Sequence, residues 1–216
     1  MLYEFVEGEE PKPGEPAARE IGHAAGLLSR FSDDGKKRKE NYLSMTFCER
    51  LASDFSRAKN PMPDVFSFFE TELEKLKPAL RADLPSGVVH GDMFADNTVF
   101  SGNKLRAVID FEEACHERYL FEIGVGINGF CFLENRLQPP YMRAYVSAYE
   151  RHRKLTEEER GWLFDYICWG ALAMIAWHLR NRLIDVPCER QERRVRELMD
   201  RIAGLREHFS ANGIFA

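Results

Sequence analysis

The chain has 216 residues, 44% hydrophobic and 30% charged, with a formal net charge of −5. That length and apolar content suit one folded domain, or one with a small appendage, and exclude disorder as the main state. The mild acidity gives no global attraction for nucleic acid or an anionic membrane, so any polyanion must be bound by a local site. The opening MLYEFVEGEEPKPGEP lacks the basic and apolar regions of a secretory signal. The longest apolar stretch, Tyr166 to Leu179, falls short of the ~20 residues of a bilayer span. A cytoplasmic protein with a buried helix at that stretch is the expectation. Cys48, Cys115, Cys131, Cys168 and Cys188 form no C-x-x-C pair and read as buried thiols. Cys115 and His116, adjacent in an extended segment, point to opposite sides and make a poor nucleophile and base.

Leu2 to Val6 reads as extended, and the glycines and prolines of residues 8–14 make a connector. Ala17, Ile21, Ala24, Leu28 and Phe31 recur at helical spacing and predict one amphipathic face. The run Lys36-Lys37-Arg38-Lys39 reads as a solvated loop. Two further helices are predicted over about 43–58 and 64–82, divided by Asn60-Pro61-Met62-Pro63. The period then changes: Gly87 to His90, Thr98 to Phe100 and Leu105 to Asp110 predict three short strands, the last two joined by the turn Ser101-Gly102-Asn103-Lys104. Helices return over about 120–133, 139–152, 157–183 and 189–209. In the last, Val195, Leu198, Met199, Ile202, Leu205 and Phe209 make a core-facing stripe.

The chemistry concentrates in GVVHGDMFADNTVFSGNKLRAVIDFEEA, Gly87 to Ala114. It places His90, Asp92 and Asn97 in the loop after one strand and Asp110 at the end of a hairpin, as H-x-D-x-x-x-x-N followed by D-F. Phosphoryl transfer needs such parts, since nucleotide phosphates must be neutralised by Mg²⁺ on oxygen ligands while a carboxylate orients the attacking hydroxyl. Asp92 is the candidate catalytic carboxylate; Asn97 and Asp110 are the candidate metal ligands. Taken singly, Asp92 suits a turn and Asn97 a cap; it is the combination that points to a phosphotransferase. His90 reads as a brace for the loop, Asp96 and Glu112 as accessory, and Glu113 as facing the substrate side.

This segment resembles the catalytic core of the aminoglycoside phosphotransferase and choline kinase superfamily, and within it the bacterial homoserine kinases. The matching residues are His90-Gly91-Asp92-Met93-Phe94-Ala95-Asp96-Asn97, Ile109-Asp110-Phe111, Ala114-Cys115 and Ile127-Asn128-Gly129-Phe130-Cys131-Phe132, with a later helix from Gly170 to Leu183. The resemblance implies an α+β, mainly α fold: a protein-kinase-like C-terminal lobe with short β-strands around the catalytic loop. It implies ATP and Mg²⁺ as cofactors and a small-molecule alcohol as substrate, with homoserine and hence threonine biosynthesis foremost; the charge balance adds the expectation of neither nucleic acid nor membrane as partner. Residues 1–10 would be the end of the N-lobe strand and the hinge, with Glu4, Phe5 and Val6 contacting ATP, and residues 11–216 the C-terminal lobe. Two departures stand out. No lysine here takes the phosphate-holding role of the N-terminal lobe, and Glu122 stands where the family has an aspartate that braces the catalytic loop. An aminoglycoside or amino-alcohol kinase, and a non-catalytic nucleotide-binding or regulatory lobe, are the alternative readings.

Overall fold

The computed structural model describes residues 5–31, 39–57, 62–184 and 189–212. In chain order they form α1 (Glu15–Leu28), α2 (Met45–Arg57), α3 (Pro63–Arg81), β1 (Ser86–Val89), β2 (Thr98–Ser101), β3 (Lys104–Val108), β4 (Cys115–Arg118), α4 (Tyr119–Phe130), β5 (Phe132–Leu133), β6 (Arg136–Leu137), α5 (Pro139–Tyr149), α6 (Glu157–Ile184) and α7 (Glu189–Asn212). The mainly helical α+β class expected from the sequence is what the chain adopts. Two compact units result: one from the described residues up to Asn41 with Leu84–Gly161, the other from those of Tyr42–Asp83 with the described residues from Trp162 on.

In the first unit, α1 lies against α5 through small side chains. Its buried face is Ala17, Ala18, Ile21, Gly22, Ala25 and Gly26. A Cβ on Gly22 would fall 2.2 Å from the Tyr145 carbonyl oxygen, and one on Gly26 2.7 Å from that of Tyr149. Backbone therefore touches backbone, and the matching four-residue advance on both helices means they run parallel. This corrects the predicted face: Ala17 and Ile21 are buried, but Ala24 and Leu28 are only half-buried, and Phe31, beyond the helix, is 70% exposed. Counting apolar residues overlooks glycine, which here gives the closest approach.

Among the described residues six strands form where three were predicted. β1 pairs antiparallel with β4, Val89 opposite Cys115, and β2 with β3 across a bulge at Val99 and Phe100. β4 leaves no strand signal in the sequence because Cys-His-Glu-Arg is largely polar, and β5 and β6 are two residues each. The predicted strand 105–110 stops at Val108. Ile109 and Asp110 turn out of it, Asp110 in the left-handed region at φ 60°, and a single 3-10 turn follows over Phe111–Glu113. Ahead of α1, Glu9 bridges Phe100 through N–H···O bonds of 2.9 and 2.8 Å, one given and one received. The approach needs Gly8, whose Cβ would lie 2.4 Å from the Phe100 oxygen.

The start of α6 is fixed by a capping box: the Glu159 N–H donates to Thr156 Oγ1 at 3.1 Å and the Thr156 N–H to Glu159 Oε2 at 2.9 Å. The same fully buried carboxylate takes the Arg153 guanidinium, Nη1 to Oε2 at 3.0 Å. Over Glu157–Asn181 this helix has the length and a mean hydropathy, 1.2, that could cross a bilayer, yet 67% of its most apolar stretch is buried in the protein, as the predicted core helix. In the second unit the stripe on α7 is buried at Val195, Leu198, Ile202 and Leu205 and half-buried at Met199 and Phe209. There the buried Glu72 of α3 holds Lys75 at 2.6 Å and Arg206 at 2.7 Å.

Candidate active site

The candidate loop begins where β1 ends. His90 is fully buried, its Nε2 2.9 Å from the Ile109 carbonyl oxygen and its Nδ1 3.3 Å from the Asp92 N–H. Donation to the carbonyl and acceptance from the amide place the ring proton on Nε2. The ring also meets Phe111 edge-on at 4.6 Å. One imidazole thus ties the start of the loop to the Asp-Phe turn.

Gly91 adopts φ 81°, a left-handed conformation in which a Cβ would press the Glu113 oxygen at 3.1 Å. Its N–H donates to Glu122 Oε2 at 2.9 Å. Glu122 comes from α4 and is 2% exposed, and its Oε1 has no hydrogen-bond partner. Burial pushes this carboxyl up to about 7, against the backbone N–H bonds of Gly91 and His90 and with the nearby Asp92 charge. Two turns along α4, Gly129 lets Met93 and Phe94 approach: a Cβ there would lie 3.1 Å from the Met93 oxygen. The helix therefore supports the loop at both ends.

Asn97 closes the loop. Its Nδ2 donates to Asp92 twice, to the carbonyl oxygen and to Oδ2, each at 2.8 Å. Phe94 N–H to Asp92 O at 3.0 Å, Asn97 N–H to Phe94 O at 3.1 Å and Ile109 N–H to Asn97 O at 3.0 Å complete the turn and join it to the end of the hairpin. Desolvation holds the half-buried Asp92 above the ordinary carboxylate value, and the charges of Asp96 and Asp110 push the same way against the Asn97 hydrogen bond and His90. Asp92, Asn97 and Asp110 are thereby brought together, Asn97 buried and Asp110 exposed.

With its amide nitrogen committed to Asp92, Asn97 has its carbonyl oxygen left for a cation, and Asp110 adds a carboxylate. Among the described residues no three carboxylate, imidazole or thiol groups form a metal cage. An amide and a carboxylate suit a hard cation that keeps water or phosphate oxygens as its other ligands, which is the habit of Mg²⁺. The crowding of Asp96 and Asp110 on Asp92 is a repulsion that a divalent cation would relieve.

The expected ATP contacts are less complete. Glu4 lies outside the described residues, Phe5 is 87% exposed and Val6 half-buried, and the Glu9 bridge lays this segment beside β2. Lys39, predicted to be solvated, donates to the Glu112 carbonyl and pairs with Glu113 at 3.2 Å, while its own carbonyl accepts the His116 N–H at 2.8 Å. The sequence holds no local sign of this partnership, since it spans more than seventy residues. Cys115 is buried in β4 and burial pushes its thiol to about 12, so it stays protonated.

A strand, a loop closed by an asparagine onto an aspartate and an Asp-Phe turn, set in a mainly helical lobe, define a kinase-like phosphotransferase fold. The chain belongs to the phosphotransferase enzyme family (APH), whose family model matches residues 1–159. It is 32% identical over 162 residues to a homoserine kinase of Nitrobacter winogradskyi, an alignment covering 74% of this chain and 50% of that one. The chain thus spans about half the length of the curated relatives it matches. Its fold is similar to that of a Plasmodium vivax ethanolamine kinase (TM-score 0.67, 13% identity, 94% of this chain and 63% of that one). It is also similar to amicoumacin kinase hAmiN, solved in complex with AMP-PNP, Ca²⁺ and Ami (TM-score 0.65, 14% identity, 92% and 64%).

Proposed function

We propose that the chain is the catalytic lobe of an ATP- and Mg²⁺-dependent kinase that phosphorylates a small-molecule hydroxyl, with homoserine as substrate and threonine biosynthesis as its setting, in the cytoplasm. The observation that carries this reading is the clamp of Asn97 on Asp92 beside Asp110. Asp92 would orient the substrate hydroxyl and receive its proton as the oxygen attacks the terminal phosphorus. Its raised proton affinity, set first by desolvation, suits that task. Asn97 Oδ1 and Asp110 would hold Mg²⁺, which supplies charge neutralisation on the phosphates. His90 and Glu122 keep the loop in shape without touching substrate. Homoserine is supported by the names of the relatives, not by a pocket, and no residue is assigned to it.

The test uses a hybrid in which this chain is joined to the N-terminal half of the Nitrobacter winogradskyi relative, assayed with homoserine, ethanolamine and an aminoglycoside. Turnover should favour homoserine. Asp92→Asn should lower kcat by at least about 10²-fold, with Mg²⁺-nucleotide binding retained, whereas Asn97→Ala and Asp110→Ala should weaken that binding. Wild-type turnover in Asp92→Asn overturns the catalytic assignment, and preference for another alcohol overturns the substrate.

A further inference from the structure

Away from the candidate active site, the first unit carries a groove of about 440 Å³ along α1 and α5 lined by Glu15, Arg19, Arg143, Ser147 and Arg151. Arg19 bonds Glu15, its neighbour one turn back. Arg143 and Arg151 make no ion pair among the described residues. Arg143 and Ser147 stand one turn apart on α5 and Arg151 follows its end, so their side chains share one face. Three guanidiniums against one carboxylate leave a local surplus of positive charge in a chain whose net charge is −5.

A neighbouring group reports the same field. His152 Nε2 lies 2.8 Å from His23 Nδ1, and the pKa of His152 is drawn below its ordinary value. Burial is the first cause, followed by the like charges of His23, Arg30 and Arg151. Cations crowded at this edge repel one another, a cost that a bound anion would reverse. The groove's volume is that of a small-molecule site, and guanidinium forks with a hydroxyl between them match tetrahedral phosphate oxygens.

We propose that this groove binds a small, multiply charged phosphate, a diphosphate or phosphomonoester, on Arg143, Ser147 and Arg151 with Arg19 at the rim. The inference is independent of the kinase reading, since it needs neither Mg²⁺ nor Asp92. The test titrates pyrophosphate into the chain by calorimetry at low ionic strength in EDTA, with orthophosphate and citrate in parallel, while the imidazole signals are followed by NMR. Pyrophosphate should bind, the Arg143→Gln/Arg151→Gln variant should lose at least about tenfold in affinity, and Asp110→Asn should bind as the parent does. Bound pyrophosphate should also move the His152 titration to higher pH, because it stabilises the imidazolium. Absence of binding, affinity undiminished in the double variant, loss in Asp110→Asn, or citrate binding as tightly as pyrophosphate would each overturn the proposal. Orthophosphate matching pyrophosphate assigns the site to a single phosphate group, pyrophosphate prevailing to a diphosphate; both outcomes support it.

Discussion

Glu122 meets two demands that conflict. It accepts the Gly91 N–H and so fixes the turn that presents Asp92, yet it is buried with Oε1 unsatisfied, which disfavours its charge. The fully buried Tyr145 hydroxyl also lacks a partner and closes on Gly126, one turn beyond Glu122 on α4. A carboxyl raised from 4.5 to about 7 on folding binds its proton more tightly in the folded state. Its contribution to stability is therefore complete below pH 4.5 and lost as pH rises through about 7. Glu122→Gln keeps an oxygen for Gly91 and removes the titration. In urea denaturation the variant should match the parent near pH ~4 and be the more stable by up to about 3 kcal/mol near pH ~8. A parent that gains on the variant as pH rises would refute the raised pKa. At this scale the sequence was informative: H-x-D-x-x-x-x-N and D-F picked out residues that the structure brings together. The orphaned Glu122 oxygen was not legible, because it depends on what α5 places beside α4.

The helices show what periodicity can and cannot convey. α7 follows its apolar stripe because its large side chains are its contacts, whereas α1 is held by Gly22 and Gly26, which carry no hydropathy signal and are recognisable only once α5 lies against them. The same contrast predicts opposite effects for one type of substitution. Gly22→Ala places a Cβ 2.2 Å from the Tyr145 carbonyl oxygen and should destabilise the protein by about 2 kcal/mol or more. Gly204→Ala in α7 meets nothing within 4 Å and should stabilise it by roughly 0.5–1 kcal/mol through helix propensity. Thermal melts of the two variants decide it, and a Gly22→Ala protein as stable as the parent would contradict the backbone contact. The catalytic hairpin lies between these cases. Its turn was readable from Gly102-Asn103, but the exit at Ile109 was not, since Val-Ile-Asp-Phe reads as continued strand until His90 claims the Ile109 carbonyl. Thr156 and Glu159, by contrast, form a capping signature that local sequence does carry.

At the scale of the whole molecule, large apolar side chains flank the residues proposed for chemistry and the start of the described chain. Ile109 and Phe111, on either side of Asp110, are 44% and 50% exposed, and Phe5 is 87% exposed. Phosphoryl transfer depends on positioning and on charge stabilisation in a water-excluded cleft. The proposed carboxylates and asparagine would supply one side of such a cleft. Since the chain spans about half the length of its curated relatives, the 216-residue chain alone should fold through its own helical cores. It should bind Mg²⁺-ATP at least about tenfold more weakly than the hybrid with the Nitrobacter winogradskyi N-terminal half, a difference of roughly 1.4 kcal/mol. Its homoserine phosphorylation should be slower still, because catalysis adds orientation and water exclusion to binding. Isothermal titration and a phosphate-transfer assay on both proteins make the comparison. Equal nucleotide affinity with brisk turnover by the chain alone would mean that its own residues complete the cleft, and would set aside the half-cleft argument while leaving the Asp92 assignment standing.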